Sequence, residues 1–242
     1  MKKLVTCAEM KDLDSTTIRE IGVPSEVLME RAALKVVEET EKYLQKDERI
    51  LVVCGSGNNG GDGIAVARLF HLKGIRAEFY MVGNKDKMTR ETALQYKIAS
   101  GYRVPEVNNP QWSEYTTIVD AVFGVGLTRP IEGHYADIIH EMNSARAKKI
   151  AVDIPSGVNG DTGLEMGIAF SADLTVTFAY RKRGLCFYPG RLYVGRIVTA
   201  DIGIYEQEAV TASAACLENK DLKLFPERDP GGNKVPSEKC SL

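Results

Sequence analysis

The sequence predicts an α/β fold, a doubly wound three-layer αβα sandwich around a mostly parallel sheet. Short apolar runs ending in glycine or aspartate alternate with amphipathic stretches at helical spacing, the rhythm of successive βαβ units. Runs such as Ile50-Leu51-Val52-Val53-Cys54 are apolar without alternation, as strands covered on both faces are. A chain of 242 residues, 44% hydrophobic and 26% charged, can bury one large core and is unlike disordered, collagen-like or disulfide-scaffold sequences.

Taken in order, Leu28, Met29, Ala32, Ala33, Val36 and Val37 recur at helical spacing and predict a helix over 24–44, with Pro24 and Ser25 at its start. A strand over 50–54 stops at Gly55, and a glycine-rich loop follows. Asp62 is then placed to cap a helix running through Ile64, Ala67 and Phe70 to Gly74. A strand over 77–82, a helix over 90–100 closed by Gly101, a strand over 117–122, a helix over 135–145 and a strand over 150–154 continue the alternation. Further strands are expected over 174–178 and 192–198, at one side of the sheet. Residues 1–218 are read as one domain and 219–242, with their prolines, paired glycines and many charges, as a tail or linker.

Lys plus Arg number 31 against 33 Asp plus Glu, a net charge of −2, so the chain as a whole is drawn to neither nucleic acid nor a membrane surface. Cysteines 7, 54, 186, 216 and 240 are scattered without a C-x-x-C pair, which argues against a disulfide framework or zinc site and for a reducing compartment. Glu9, Lys11 and Asp12 interrupt the amino-terminal segment before a signal-peptide core can form, and no apolar run reaches the ~18 residues of a membrane helix. A soluble, cytoplasmic protein is expected.

In an open parallel sheet ligands bind beyond the carboxyl ends of the strands, which nominates three loops. The first, Gly55-Ser56-Gly57-Asn58-Asn59-Gly60-Gly61-Asp62-Gly63, contains G-x-G-x-x-G, but the acidic residue of a dinucleotide fingerprint is missing after the next strand, where Gly83-Asn84 stand, and no Lys-Ser/Thr closes a P-loop. A tight turn tolerating asparagine, with Asp62 only a cap, is the plain alternative to a binding loop. The second places Asp120 inside a strand that should be buried, where a carboxylate is costly unless it is compensated; an edge aspartate capping a turn is the alternative. The third puts Asp153 at the end of an apolar strand, before Pro155-Ser156-Gly157. If the three loops share one sheet edge, Asn59, Asp120 and Ser156 offer hard oxygen ligands carrying a single formal charge, a better match to a monovalent cation than to a divalent one. Asp153 is then the candidate acid/base. His71, His134 and His140 fall on predicted helices, Cys54 reads as a buried inert thiol, and Lys182 lies in a basic cluster that is either a phosphate attractor or a solvated turn.

Gly57 to Gly63, the run Val119-Asp120-Ala121-Val122-Phe123-Gly124-Val125-Gly126-Leu127-Thr128-Arg129-Pro130 and the run Ala151-Val152-Asp153-Ile154-Pro155-Ser156-Gly157-Val158 together resemble the NAD(P)H-hydrate epimerase family, the YjeF N-terminal domain. The similarity extends to Glu9-Met10 with Asp14, Leu28-Met29-Glu30-Arg31-Ala32, Phe178 with Lys182-Arg183-Gly184, and Asp201-Ile202-Gly203. It implies a Rossmann-like fold and interconversion of the R and S forms of hydrated NADH and NADPH, in a repair pathway completed by a separate dehydratase. It further implies substrate contacts from Asn58, Asn59, Gly60, Gly61, Asp62, Gly124, Val125, Gly126, Leu127, Thr128, Arg129, Pro130 and Asp153. A potassium ion at Asn59, Asp120 and Ser156, and a homodimer, are implied as well. Asp153 is the expected catalytic residue, with the helix start after Asp62 favouring the phosphates. Arg181 stands where the family commonly has proline, and the segment from Leu224 to Lys234 looks like the junction to a dehydratase domain, of which 219–242 would be the stub. A non-catalytic nucleotide-binding scaffold for a protein partner and a nicotinamide-dependent oxidoreductase are the competing readings.

Overall fold

The computed structural model describes residues 2–205 and 214–216, so the expected tail over 219–242 lies outside the described residues. Six parallel strands form the main sheet: β2 (Arg49–Cys54), β3 (Arg76–Met81), β4 (Thr117–Ala121), β5 (Lys148–Val152), β6 (Leu174–Phe178) and β8 (Arg196–Ala200), in the order β3-β2-β4-β5-β6-β8. The chain runs outward from β2 to β3 and then returns to the other side of β2 as β4. The crevice where strand order reverses therefore opens beside the loops that follow β2 and β4.

Both faces of the sheet are apolar, and the side chains divide between them with period two. Ile50, Val52, Cys54, Val119, Ala121, Ile150 and Val152 pack under α2 (Ser25–Glu41), α3 (Asn58–Leu72) and α4 (Arg90–Gly101). Leu51, Val53, Ile118, Val122 and Ala151 pack under α5 (His134–Ser144) with Phe170. The central helix α3 rides close to the strands at Gly63, where an added Cβ would lie 2.4 Å from the Ala121 Cβ and 3.0 Å from the Cys54 sulfur. Arg68 of α3, almost fully buried, is ion-paired with Glu30 of α2.

A second, three-stranded sheet has the order β7-β1-β9, from β1 (Lys2–Val5), β7 (Arg181–Lys182) and β9 (Ala214–Cys216). With α1 (Cys7–Arg19) it forms a layer that the apolar periodicity does not predict, because its strands are too short to carry a pattern. The start of α1 is nevertheless written in the sequence as a capping box: the Thr6 hydroxyl accepts from the Glu9 amide at 3.0 Å, and the Thr6 amide donates to the Glu9 carboxylate at 2.6 Å.

Two expectations need correcting. The strand expected over 192–198 spans Arg196–Ala200, because Leu192 closes a 3₁₀ turn at Gly190–Leu192. The glycine loop is shorter than its composition suggests: α3 begins at Asn58 with Gly57 as N-cap, so Asp62 lies in the second turn and caps nothing.

Gly63→Ala is expected to destabilise the fold by about 1–3 kcal/mol through overpacking against Ala121 and Cys54. Urea unfolding measures it, and an unchanged midpoint would mean that α3 can move off the sheet.

Candidate functional site

A cavity of about 550 Å³ occupies the crevice at the carboxyl ends of β2, β4 and β5. α3 contributes Asn58, Asn59 and Asp62 to its wall, three residues that share one helical face. The loop after β4 contributes Val122, Phe123, Gly124, Val125, Gly126 and Leu127, and Asp153 enters from the end of β5. α1 adds Met10, Lys11, Asp14 and Ile18, spaced by three and four residues, and Lys182 rises from β7. Of the expected contacts, Gly60 and Gly61 lie behind this wall in the body of α3, and Thr128, Arg129 and Pro130 are exposed beyond its rim.

Asp153 occupies a turn that L-residues seldom adopt. Its φ is +64°, and the Ile154 amide donates back to the Val152 carbonyl at 2.8 Å, closing a three-residue γ-turn at the end of β5. The neighbouring strand ends the same way: Ala179 has φ +57°, and the Tyr180 amide donates to the Phe178 carbonyl at 2.7 Å. Side-by-side turns of this type cost of order 1–3 kcal/mol each, and they follow strands whose ends bring Asp153 and Phe178 to the cavity wall.

Asp153 Oδ1 takes every protein donor: Lys182 Nζ at 2.5 Å, Thr177 Oγ1 at 3.1 Å and the Phe178 amide at 3.3 Å. Oδ2 has no hydrogen-bond partner among the described residues. Lys182 also donates to Thr177 Oγ1 at 3.2 Å and the Phe178 carbonyl at 3.1 Å, and its side chain is 1% exposed. The solvated-turn reading of Lys182 is therefore wrong. β7 pairs with β1 in parallel, Val5 opposite Lys182, and that pairing directs the ammonium inward. No signal in one dimension separates Lys182 from its neighbours Arg181 and Arg183, so its pairing with Asp153 escapes sequence reasoning. Asp14 is readable only as part of the resemblance, although its helical spacing from Met10 and Ile18 marks it.

Asp62 has no hydrogen-bond partner among the described residues and is half-buried on the cavity wall. Enclosure by protein raises its carboxyl well above the usual range, and the negative charges of Asp153 and Asp14 push in the same direction while Lys182 opposes them. Asp14 is raised too, first by burial and then by Asp153 and Glu91.

Beneath the loop after β4 lies a second polar group. Asp120 is completely buried in β4, so the edge-aspartate alternative is excluded. Its carboxylate accepts from the Ser156 hydroxyl at 2.6 Å, the Ser156 amide at 2.7 Å and the Val122 amide at 3.1 Å. Burial lifts its pKa to about 6 against those three donors. The Ser156 hydroxyl also accepts from the Phe123 amide at 2.9 Å, and Gly124, the next residue, abuts the side chain of Asn59, whose amide nitrogen is buried without a partner. Asn59, Asp120 and Ser156 thus converge on the Phe123–Gly124 backbone. A buried carboxylate with no basic partner, the Ser156 hydroxyl oxygen and the carbonyl oxygen of the Asn59 carboxamide are the donor types of a cation of low charge, and no group of three His, Cys, Asp or Glu that could hold a metal is found among the described residues.

The position of a dinucleotide-fingerprint acid is blocked sterically. A Cβ at Gly83 would lie 2.3 Å from the Ser56 amide nitrogen, so the end of β3 packs directly on the glycine loop. Cys54 is fully buried, and that burial raises its thiol well above its ordinary value, in keeping with an inert role.

Residues 25–184 match the family model described as YjeF-related protein N-terminus. A Levilactobacillus brevis protein named NAD(P)H-hydrate epimerase is 47% identical over 214 residues, 87% of this chain and 98% of that one. Proteins of the same name from Oenococcus oeni and Limosilactobacillus fermentum are 48% and 44% identical over 206 residues, 84% of this chain and 97% and 99% of theirs. The crystal structure of yeast ynu0 superposes with a TM-score of 0.70 at 20% identity, covering 87% of this chain and 98% of that one, which shows a shared fold.

Lys182→Met is expected to cost about 3–5 kcal/mol by stranding the Asp153 charge, and Asp153→Asn in the same chain should recover part of the loss. Chemical denaturation of the two single variants and the double variant measures the coupling; simple additivity would contradict the pair.

Proposed function

The chain belongs to the NAD(P)H-hydrate epimerase family, and from that premise we propose that its cavity binds hydrated NADH or NADPH and interconverts the R and S epimers. The protein is an isomerase. The observation that carries the assignment of the site is the asymmetry of Asp153: three donors hold one carboxylate oxygen, and the other is left for substrate at the cavity wall. Epimerisation at a carbon bearing a hydroxyl beside a ring nitrogen needs a proton donor and acceptor, and Asp153 is placed to serve.

In the same reading Asn58, Asn59, Asp62 and the Gly124–Leu127 backbone contact substrate, and the uncapped amino end of α3, which starts at Asn58 and not after Asp62, favours its phosphates. Gly60 and Gly61 would act through the shape of α3, and Thr128, Arg129 and Pro130 by closing from the rim. Asn59, Asp120 and Ser156 would hold potassium, whose charge would balance the buried Asp120 and steady the Phe123–Gly124 backbone. Functional coupling to a dehydratase, a cytoplasmic location and a homodimer belong to the same proposal; Val27 and Leu34, exposed one above the other on α2, support a dimer face. The scaffold reading is not favoured, since a binding platform has no use for a buried Lys–Asp pair aimed into its cavity. The oxidoreductase reading lacks its acidic residue.

A prepared mixture of R and S hydrates, supplied with an S-specific dehydratase, provides the test. The protein should speed the loss of the R form, and Asp153→Asn should slow it by about a hundredfold or more. No acceleration, with or without potassium, would overturn the epimerase assignment. Potassium chloride in place of choline chloride should raise the thermal midpoint of the wild type but not of Asp120→Asn, as expected for an ion bound only by the folded state. If residues 219–242 are a linker, deleting everything after Asn219 should leave epimerase activity within about twofold of the full chain, given how little of such a segment can be buried.

A further inference from the structure

We propose that Asp62 is a second catalytic residue, the proton donor that works with Asp153 on the hydrated carbon. This rests on the epimerase reading above. The two carboxyl groups reach one cavity from different elements, Asp62 from the second turn of α3 and Asp153 from the γ-turn after β5. Both line that cavity, so one ring bound there can meet the two carboxyl groups.

Their surroundings differ as the two roles require. Asp153 is ion-paired with Lys182, whereas Asp62 has no basic or hydrogen-bonding partner among the described residues and faces the cavity. The charged groups around Asp62 are Asp14 from α1, Asp153 from the end of β5 and Lys182 from β7, with Lys11 and Glu91 elsewhere on the cavity wall. Enclosure by protein acts first, and two of the three charges that act on it are negative, so Asp62 keeps its proton at a pH where an ordinary aspartate has lost it. A carboxyl with no cation partner and a carboxylate held by an ammonium, lining one cavity, are arranged as an acid and base pair.

The step balances without a co-reactant. The lone pair of the ring nitrogen forms a C=N bond, the C–O bond breaks with its electron pair leaving on oxygen, and Asp62 gives its proton to that oxygen to release water. Water then adds to the opposite face of the iminium carbon, the C=N electron pair returns to nitrogen, and Asp153 takes the proton lost by the incoming oxygen. The opposite conversion uses the same groups with the roles exchanged. The two carboxyl groups regain their starting protonation through cavity water.

Asp62→Asn should lower kcat for R-to-S conversion by about a hundredfold or more while KM stays within about threefold, and Asp62→Glu should restore part of kcat. Because Asp62 acts in its protonated form, the wild-type rate should fall on the alkaline side, and Asp62→Glu should move that limb. In water enriched in oxygen-18, wild-type epimerisation should place label on the hydrated carbon at the rate of epimerisation, a measurement that needs no variant. Retention of the original oxygen, a kcat for Asp62→Asn within about threefold of wild type, or a loss confined to KM would each overturn the role of Asp62. A wild-type protein that does not accelerate loss of the R form would instead overturn the epimerase reading itself.

Discussion

The buried pair of Lys182 and Asp153 joins the two sheets at the place where the cavity forms. Asp153 sits at the end of the main sheet, and Lys182 belongs to the small one, held there by the parallel pairing of β7 with β1. Taking both charges out of water costs several kcal/mol per ion, and their attraction is helped to offset that by further hydrogen bonds from Thr177 and the Phe178 backbone. A pair of this kind is a poor source of stability. Its consequence is positional: one oxygen of Asp153 is fixed, and the other can address a ligand.

Other contacts serve the same junction. The Cys7 amide, at the first turn of α1, donates to Asp161 at 2.6 Å, and Arg183, next to Lys182, donates to the Asp161 carbonyl at 3.1 Å. One loop residue therefore anchors both the helix that carries Asp14 and the strand that carries Lys182. The Cys7 thiol, enclosed beside Asp161, is pushed up to about 12 by burial and that neighbouring charge, so it fills space in this junction and adds no nucleophile to it. The strained turns at Asp153 and Ala179 are tolerated because the surrounding ladder over-determines them: the Asp153 amide still donates to the Val176 carbonyl, and the Ala179 amide to the Ala200 carbonyl, both at 2.8 Å.

How far the sequence can be read follows from burial. Strand β2 is legible because both of its faces are covered, which leaves a nearly uninterrupted apolar run, and β4, β5 and β6 keep enough apolar positions around Asp120, Lys148–Lys149 and Thr175 and Thr177 to be seen; the edge strand β8, with an exposed Arg196 and mostly partial burial after it, is displaced by several residues from where the pattern puts it. The three loops of the site are legible because polar residues at the ends of apolar strands are conspicuous. The partners of those residues are not. Lys182 lies 29 positions from Asp153 and reaches it only through the register of a two-residue strand. Asp62 looks like a cap because composition cannot tell a loop glycine from the close-packed glycines of the first two helical turns, where an added Cβ at Gly61 would meet the Met29 side chain and one at Gly63 would meet Ala121.

Three aspartates at one sheet edge show how little residue type decides. Asp120 is sealed in β4, and its three donors leave it still raised to about 6; in the proposed reading a cation from outside the protein chain supplies the missing positive charge. Asp153 has that charge already, from Lys182. Asp62 has neither donors nor a cation within bonding distance among the described residues, and enclosure and neighbouring negative charge hold its carboxyl toward the neutral form. In the proposed reading the same side chain binds an ion, accepts a proton and gives one, and the difference lies in the elements that carry it: a central strand, a strained strand end, and the open face of a helix.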